Sequence, residues 1–282
     1  MIQRFISVQG LALCLIEWGD SSNPAVLILH GWLDQAASWT KVAERLVERG
    51  YYVIALEHRG HGISGHVSDY CDYHFPDYVA DLQEVVQQLE LEDFILIGHS
   101  MGGTISCLYT ALCPVKPKKL ILVDGVGTRH EDEEKAAIRY ETHLKQRRKK
   151  SVHRVMTSRE IAQQKLSSNH PYISEEWASE LVLRITKTKE DGWIWTWDPR
   201  HRNRSAVGFH LPRFLRLLNQ ITVSTCLIFG GESWYVHLPD LPERIKAFPV
   251  SPKQIILPTG HSPHLENSSM LAEAISSFLE DK

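Results

Sequence analysis

FILIGHSMGG, residues 94–103, runs from four apolar residues into a glycine, then a serine two places on, then a second glycine two places further. The apolar run is short and continuous, as in a strand buried on both faces. Gly102–Cys113 has helical spacing and is stopped by Pro114. A strand that turns into a helix through one serine leaves no room for side chains two places to either side. Gly98 and Gly102 supply that room. Ser100 is then held in a strained conformation with its hydroxyl projecting from the sheet edge. The helix N-terminus behind it favours negative charge developing nearby.

The pattern extends in both directions from that turn. ISVQG and LALCLIEWG read as strands around Gly10, and Ala25–Leu29, Tyr52–Leu56, Phe94–Ile97 and Leu120–Val123 as short buried ones. Helical spacing separates them at Ser38–Arg49 and Tyr78–Leu89. The alternation stops after Val123 and resumes with Thr222–Phe229, Leu241–Ala247, Gln254–Leu257 and Ser269–Leu279. This predicts an α/β fold: a mostly parallel sheet of about eight strands, helices on both faces, and a mainly helical insertion after the sixth strand. The predicted core is 1–127 and 213–282, and the insertion is 128–212. Within the insertion, residues 185–197 read as a hairpin turning at Asp191-Gly192. Trp193, Trp195 and Trp197 then share one face, as core of the insertion, as a roof over a cleft, or as both.

Composition excludes several partner classes. The 282 residues are 43% hydrophobic and 23% charged with a net charge of −3, so nothing points to nucleic acid. The acidic run 131–134 and the basic run 146–150 read as solvated helix faces. No apolar run approaches the roughly 18 residues of a membrane span. The first twenty residues lack a clean signal-peptide core, which predicts no membrane partner. Five scattered cysteines with no CxxC pair suggest neither a zinc site nor a disulfide framework, and reduced thiols point to the cytoplasm.

A serine hydroxyl needs a base. Thr259-Gly260-His261-Ser262-Pro263-His264 follows the last apolar strand, so His261 can sit on a loop above the edge that carries Ser100. His264 is the competitor and reads better as a packing residue. In Val26–Asp34, a strand ends in His30-Gly31. The N–H groups of Trp32 and Met101 are then placed as two donors for an oxyanion. His30 reads as a brace for its loop. His58 and His61 resemble metal ligands, but no carboxylate or cysteine cluster completes a site. The sequence predicts no metal and no cofactor.

His30-Gly31-Trp32, Arg59-Gly60-His61-Gly62-Ile63-Ser64, Gly98-His99-Ser100-Met101-Gly102-Gly103 and Gly260-His261 resemble the α/β-hydrolase fold superfamily, in its serine-nucleophile branch. The resemblance covers both core segments and implies that the insertion is a cap. HGWLD, the hairpin and Trp197-Asp198-Pro199-Arg200 are similar to the serine hydrolase-like subgroup. Many members carry the triad acid after the seventh strand, where this chain has Trp234. Some carry it after the sixth, where Asp124 ends the run LILVD. Glu232 is the alternative acid. The resemblance implies a carboxylesterase-like serine hydrolase acting through Ser100, His261 and Asp124. Its substrate is a small hydrophobic acyl ester or thioester bound near Trp32, Met101, Trp195 and Trp234, and the chain is a monomer or homodimer. The alternatives are a C–C bond hydrolase, a biosynthetic thioesterase, or a ligand-binding relative without turnover.

Overall fold

The computed structural model describes residues 1–190 and 192–280. In chain order the elements are β1 (Ile2–Val8), β2 (Leu11–Trp18), β3 (Ala25–Leu29), α1 (Thr40–Glu48), β4 (Tyr52–Leu56), α2 (Phe75–Gln88), β5 (Phe94–His99), α3 (Met101–Leu112) and β6 (Lys119–Val123). Then follow α4 (Ala136–Arg147), α5 (Arg159–Asn169), α6 (Glu175–Ile185), β7 (Thr186–Lys189), β8 (Gly192–Trp195) and α7 (Leu211–Leu218). The chain closes with β9 (Ser224–Gly230), α8 (Leu241–Lys246), β10 (Lys253–Leu257), α9 (Pro263–Glu266) and α10 (Ser268–Glu280).

Eight strands form one sheet in the order β1-β2-β4-β3-β5-β6-β9-β10. The β1–β2 and β2–β4 pairs are antiparallel and the rest are parallel. This is an α/β-hydrolase fold. The uniformly apolar strands have a physical reason, which β3 illustrates. Leu27 and Leu29 face a core shared with α2, α3, α7 and α8, whereas Val26 and Ile28 face a second core under α1 and α10. Each such side chain, fully removed from water, contributes about 1.5–3 kcal/mol. Among the described residues, no helix is long and apolar enough to cross a membrane.

Helices α4–α6 and the β7–β8 hairpin lie between β6 and α7. Ala162, Leu166, Trp177, Leu181 and Val182 form a separate small core there, with Trp193 and Trp195 packed against it. The hairpin differs from the sequence expectation at its turn. Gly192 pairs with Lys189 as the first residue of β8, and Glu190 adopts the positive φ of 50°. The expected turn residue Asp191 lies outside the described residues. Gly192 is needed for close approach instead: a Cβ there would run into the Met156 carbonyl, where Met156 bridges to Trp193. Helix α2 also begins three residues earlier than its spacing suggests, with a proline in its first turn. Pro tolerates that position because the first turn has no intrahelical acceptor for its N–H.

Candidate active site

Ser100 sits between β5 and α3 with φ 50° and ψ −111°. A bare serine would not choose this backbone state, so packing must impose it. A Cβ on Gly98 would collide with Ser106 Oγ and the Gly102 carbonyl, and one on Gly102 with the Leu29 carbonyl. The elbow is thus pressed between its own helix and the neighbouring strand. The Ser100 N–H donates to the Val123 carbonyl at 3.0 Å, which ties it to the end of β6.

The next residue, Asp124, also has a positive φ, 43°, and is fully buried. Aspartate tolerates this region better than most residues. Its Oδ1 accepts from the Gly230 N–H at 3.1 Å, and its Oδ2 lies 3.1 Å from His261 Nδ1. His261 Nε2 lies 3.0 Å from Ser100 Oγ. These distances fit one tautomer, in which Nδ1–H donates to the carboxylate and Nε2 accepts from the serine hydroxyl. The structure therefore brings together Ser100, His261 and Asp124, which stand on three separate stretches of sequence. Glu232 is exposed and, among the described residues, its side chain has no hydrogen bond to His261. Trp234 lies with its ring centre 5.2 Å from that of His261, and Ser233 Oγ lies 3.4 Å from His261 Nδ1.

Two histidines flank His261. His99 Nε2–H donates to the His261 carbonyl at 2.7 Å, fastening the loop of His261 to the end of β5. Burial, together with the neighbouring His264 and His261, pushes the His99 pKa well below its usual value, so the ring stays neutral. His264 stacks on Trp39 with ring centres 4.6 Å apart and hydrogen-bonds Asp34 at 3.1 Å. Burial alone would raise the Asp34 pKa, but His264 holds it below the usual carboxylate range. Asp34, His99 and His264 bring three metal-type ligand atoms within 4.8 Å of one another. His99 escaped the sequence reading because its partner is a backbone carbonyl 162 residues away, which no spacing reveals.

The loop after β3 is held by the loop after β4. His30 Nε2 accepts from the His58 N–H at 3.1 Å, and His61 Nε2 accepts from the Leu33 N–H at 3.3 Å. Leu33 has φ 60°, so this second bond supports a conformation costly for a branched residue. Burial lowers the pKa of His30 to about 4 and that of His61 well below its usual value, which keeps both available as acceptors. Among the described residues, the N–H groups of Trp32 and Met101 have no hydrogen-bond acceptor. Met101 opens α3, where the first N–H groups have no intrahelical partner.

A cavity of about 1000 Å³ opens above Ser100. Trp32, Met101, Trp195 and Trp234 line it, as does Trp197. Trp193 does not; it lies under Arg159, 3.8 Å from the guanidinium carbon. The Asp198–Arg200 stretch clamps the segment between β8 and α7 to the core. Arg200 donates to the carbonyls of Ser68, Cys71 and Val67, and Asp198 accepts from Tyr73 Oη at 2.7 Å. Where the chain leaves the core, the fully buried Arg244 donates to the Val126 and Thr128 carbonyls, each at 2.7 Å, and pairs with Asp240. Asp240 thus serves Arg244 and makes no side-chain cap to α8.

The fold and this geometry define the class. The chain belongs to the α/β-hydrolase family, whose alpha/beta hydrolase fold signature matches residues 24–169. It is similar to the serine hydrolase-like protein of Danio rerio, at 29% identity over 93% of this chain and 83% of that one. It is also similar to the sn-1-specific diacylglycerol lipase ABHD11 of Mus musculus, at 28% identity over 93% of this chain and 82% of that one. Among solved structures, the thioesterase domain from the curacin biosynthetic pathway superposes with a TM-score of 0.89 at 30% identity. That superposition covers 98% of this chain and 99% of that domain.

Proposed function

We propose that the protein is a serine hydrolase that cleaves small hydrophobic acyl esters or thioesters through an acyl-enzyme. The observation that carries this reading is the hydrogen-bonded line from Ser100 Oγ to His261 Nε2 at 3.0 Å and from His261 Nδ1 to Asp124 at 3.1 Å. Ser100 Oγ attacks the substrate carbonyl as His261 Nε2 takes its proton. The oxyanion is held by the N–H groups of Trp32 and Met101, each such donor being worth about 10²–10³ in rate. His261 then protonates the leaving alcohol or thiol. A water, deprotonated by the same nitrogen, attacks the acyl-enzyme and frees the acid. Asp124 holds the imidazole tautomer and stabilises the imidazolium throughout.

The tryptophans on the cavity wall favour an apolar acyl group. The lipase and thioesterase activities named for two relatives support ester or thioester chemistry. A receptor without turnover is disfavoured, because a buried carboxylate stands on His261 although the position after β9 holds Trp234. The test is Ser100→Ala. It abolishes turnover of nitrophenyl esters and labelling by a fluorophosphonate probe; labelling that persists overturns the reading.

A further inference from the structure

His99 carries a lone pair with no donor on it. Its Nε2–H is taken by the His261 carbonyl, so Nδ1 is the bare nitrogen of the ring. That atom is buried and has no hydrogen-bond partner among the described residues. It faces the loop after β3, because a Cβ on Gly31 would stand 2.7 Å from it. Asp34 lies three residues further along that loop and is bonded to His264 Nε2 at 3.1 Å. Leaving a buried acceptor unsatisfied is costly, so the bare nitrogen needs an explanation.

The surroundings are those of a ligating imidazole. A histidine that binds a metal through one ring nitrogen almost always donates its other N–H to a carbonyl or carboxylate. His99 does so to His261. Asp34 Oδ2 is steadied in a similar way, by the Ser38 hydroxyl at 3.0 Å. The candidate ligand atoms of Asp34, His99 and His264 lie within 4.8 Å of one another. Around a tetrahedral zinc ion, with bonds near 2.0–2.2 Å, ligand atoms stand roughly 3.3–3.5 Å apart. The Asp34–His264 pair is already close to that spacing. His99 has to close by no more than about 1.5 Å. Two imidazoles and one carboxylate suit zinc, whereas magnesium and calcium prefer oxygen alone. Asp34 and His99 also line the cavity, which gives an ion its way in and leaves room for water as the fourth ligand.

We propose that Asp34, His99 and His264 form a zinc site beside His261, and that its occupancy slows turnover. This departs from the expectation of no metal. Zinc displaces to solvent the proton that His264 Nε2 shares with Asp34, and it takes the free lone pair of His99 Nδ1. Drawing His99 toward Asp34 pulls on the His261 carbonyl, and so on the loop that aims His261 at Ser100. The binding does not depend on the chemistry assigned to Ser100; the loss of turnover does.

The test titrates the full chain, stripped with EDTA, with zinc chloride, read by calorimetry and by turnover of a nitrophenyl ester. The wild type binds one zinc ion and loses turnover as the site fills. Ser100→Ala and His261→Ala bind zinc as the wild type does, because neither residue supplies a ligand. Asp34→Asn and His264→Gln weaken binding by more than about a hundredfold, since loss of a supporting bond alone costs about 10–100-fold. Each variant is compared with its own metal-free rate and melting temperature. Cobalt in place of zinc gives the wild type the intense visible absorption of a tetrahedral ion, and leaves both ligand variants with the pale spectrum of the octahedral aquo ion. A wild type that binds no zinc overturns the proposal. So does binding that His261→Ala abolishes and His264→Gln leaves intact, which gives the metal to His261. Zinc bound at full turnover overturns the link to His261. A metal-free wild type without turnover that still binds zinc as described supports the site and counts against the hydrolase reading.

Discussion

Replacing Asp124 by asparagine changes one atom and inverts a proton. In the native arrangement Oδ1 accepts from the Gly230 N–H and Oδ2 faces His261 Nδ1. The asparagine oxygen can keep only one of these places. Kept on Gly230, it turns the amide NH₂ toward His261, which must then present a bare Nδ1 and carry its proton on Nε2. That nitrogen can no longer accept the Ser100 proton. Turned the other way, the NH₂ faces the Gly230 N–H, donor against donor, inside a fully buried site. Loss of the correct tautomer costs about 10⁴ in kcat, or roughly 5 kcal/mol of barrier. The assay is kcat/KM on a nitrophenyl ester, with the melting temperature as the folding control. Glu232→Gln, on an exposed side chain, changes the rate less than about threefold, within the small effect expected of surface sites. An Asp124→Asn enzyme within about tenfold of wild type, together with a crippled Glu232→Gln enzyme, would refute the reasoning and move the acid.

Gly102→Ala drives a Cβ into the Leu29 carbonyl, so the backbone must shift. It should cost about 1–3 kcal/mol in denaturant unfolding and lose fluorophosphonate labelling. Arg244→Met leaves the Val126 and Thr128 carbonyls and Asp240 without their partner. The expected loss is about 3–5 kcal/mol, seen as a melting temperature lower by about 10 °C; an unchanged melt refutes the anchoring role. Stability should also fall on acidification. Burial lowers the pKa of His30 to about 4 and of His201 to about 3, so below the unfolded value of 6.5 the unfolded chain binds protons that the native one excludes. Each costs on the order of 1 kcal/mol per pH unit, with His58, His61 and His99 adding in the same direction. Glu57 opposes them, since burial raises its pKa to about 7 and it gains stability as pH falls through that range. Urea unfolding from pH 8 to 5 checks the balance; a flat or rising stability refutes it.

The sequence carried the centre of the sheet because two-sided burial forces continuous apolar runs in β3, β4, β5, β6 and β9, whereas the edge strands β1 and β10 are largely exposed and leave a weaker mark. Ser100 was equally plain, since a steric need for two glycines at fixed spacing is a local fact. Other features stayed hidden because they are contacts between distant segments. His99 binds the His261 carbonyl, and Arg244 binds the carbonyls where the chain leaves β6. The hairpin turn was misread for a related reason: Gly192 answers to Met156 rather than to its own turn.

Ser100 and Asp124 end neighbouring strands joined by hydrogen bonds, and the Ser100 N–H is itself bonded to Val123. Their separation is therefore gauged by the lattice of the sheet, about 4.8 Å from strand to strand. Positional tolerance is concentrated in the third member. His261 arrives on a loop, and its backbone is referred back to the end of β5 through the His99 bond to its carbonyl. Drift elsewhere in the molecule should register first as a displaced His261, while the spacing of Ser100 and Asp124 stays constant.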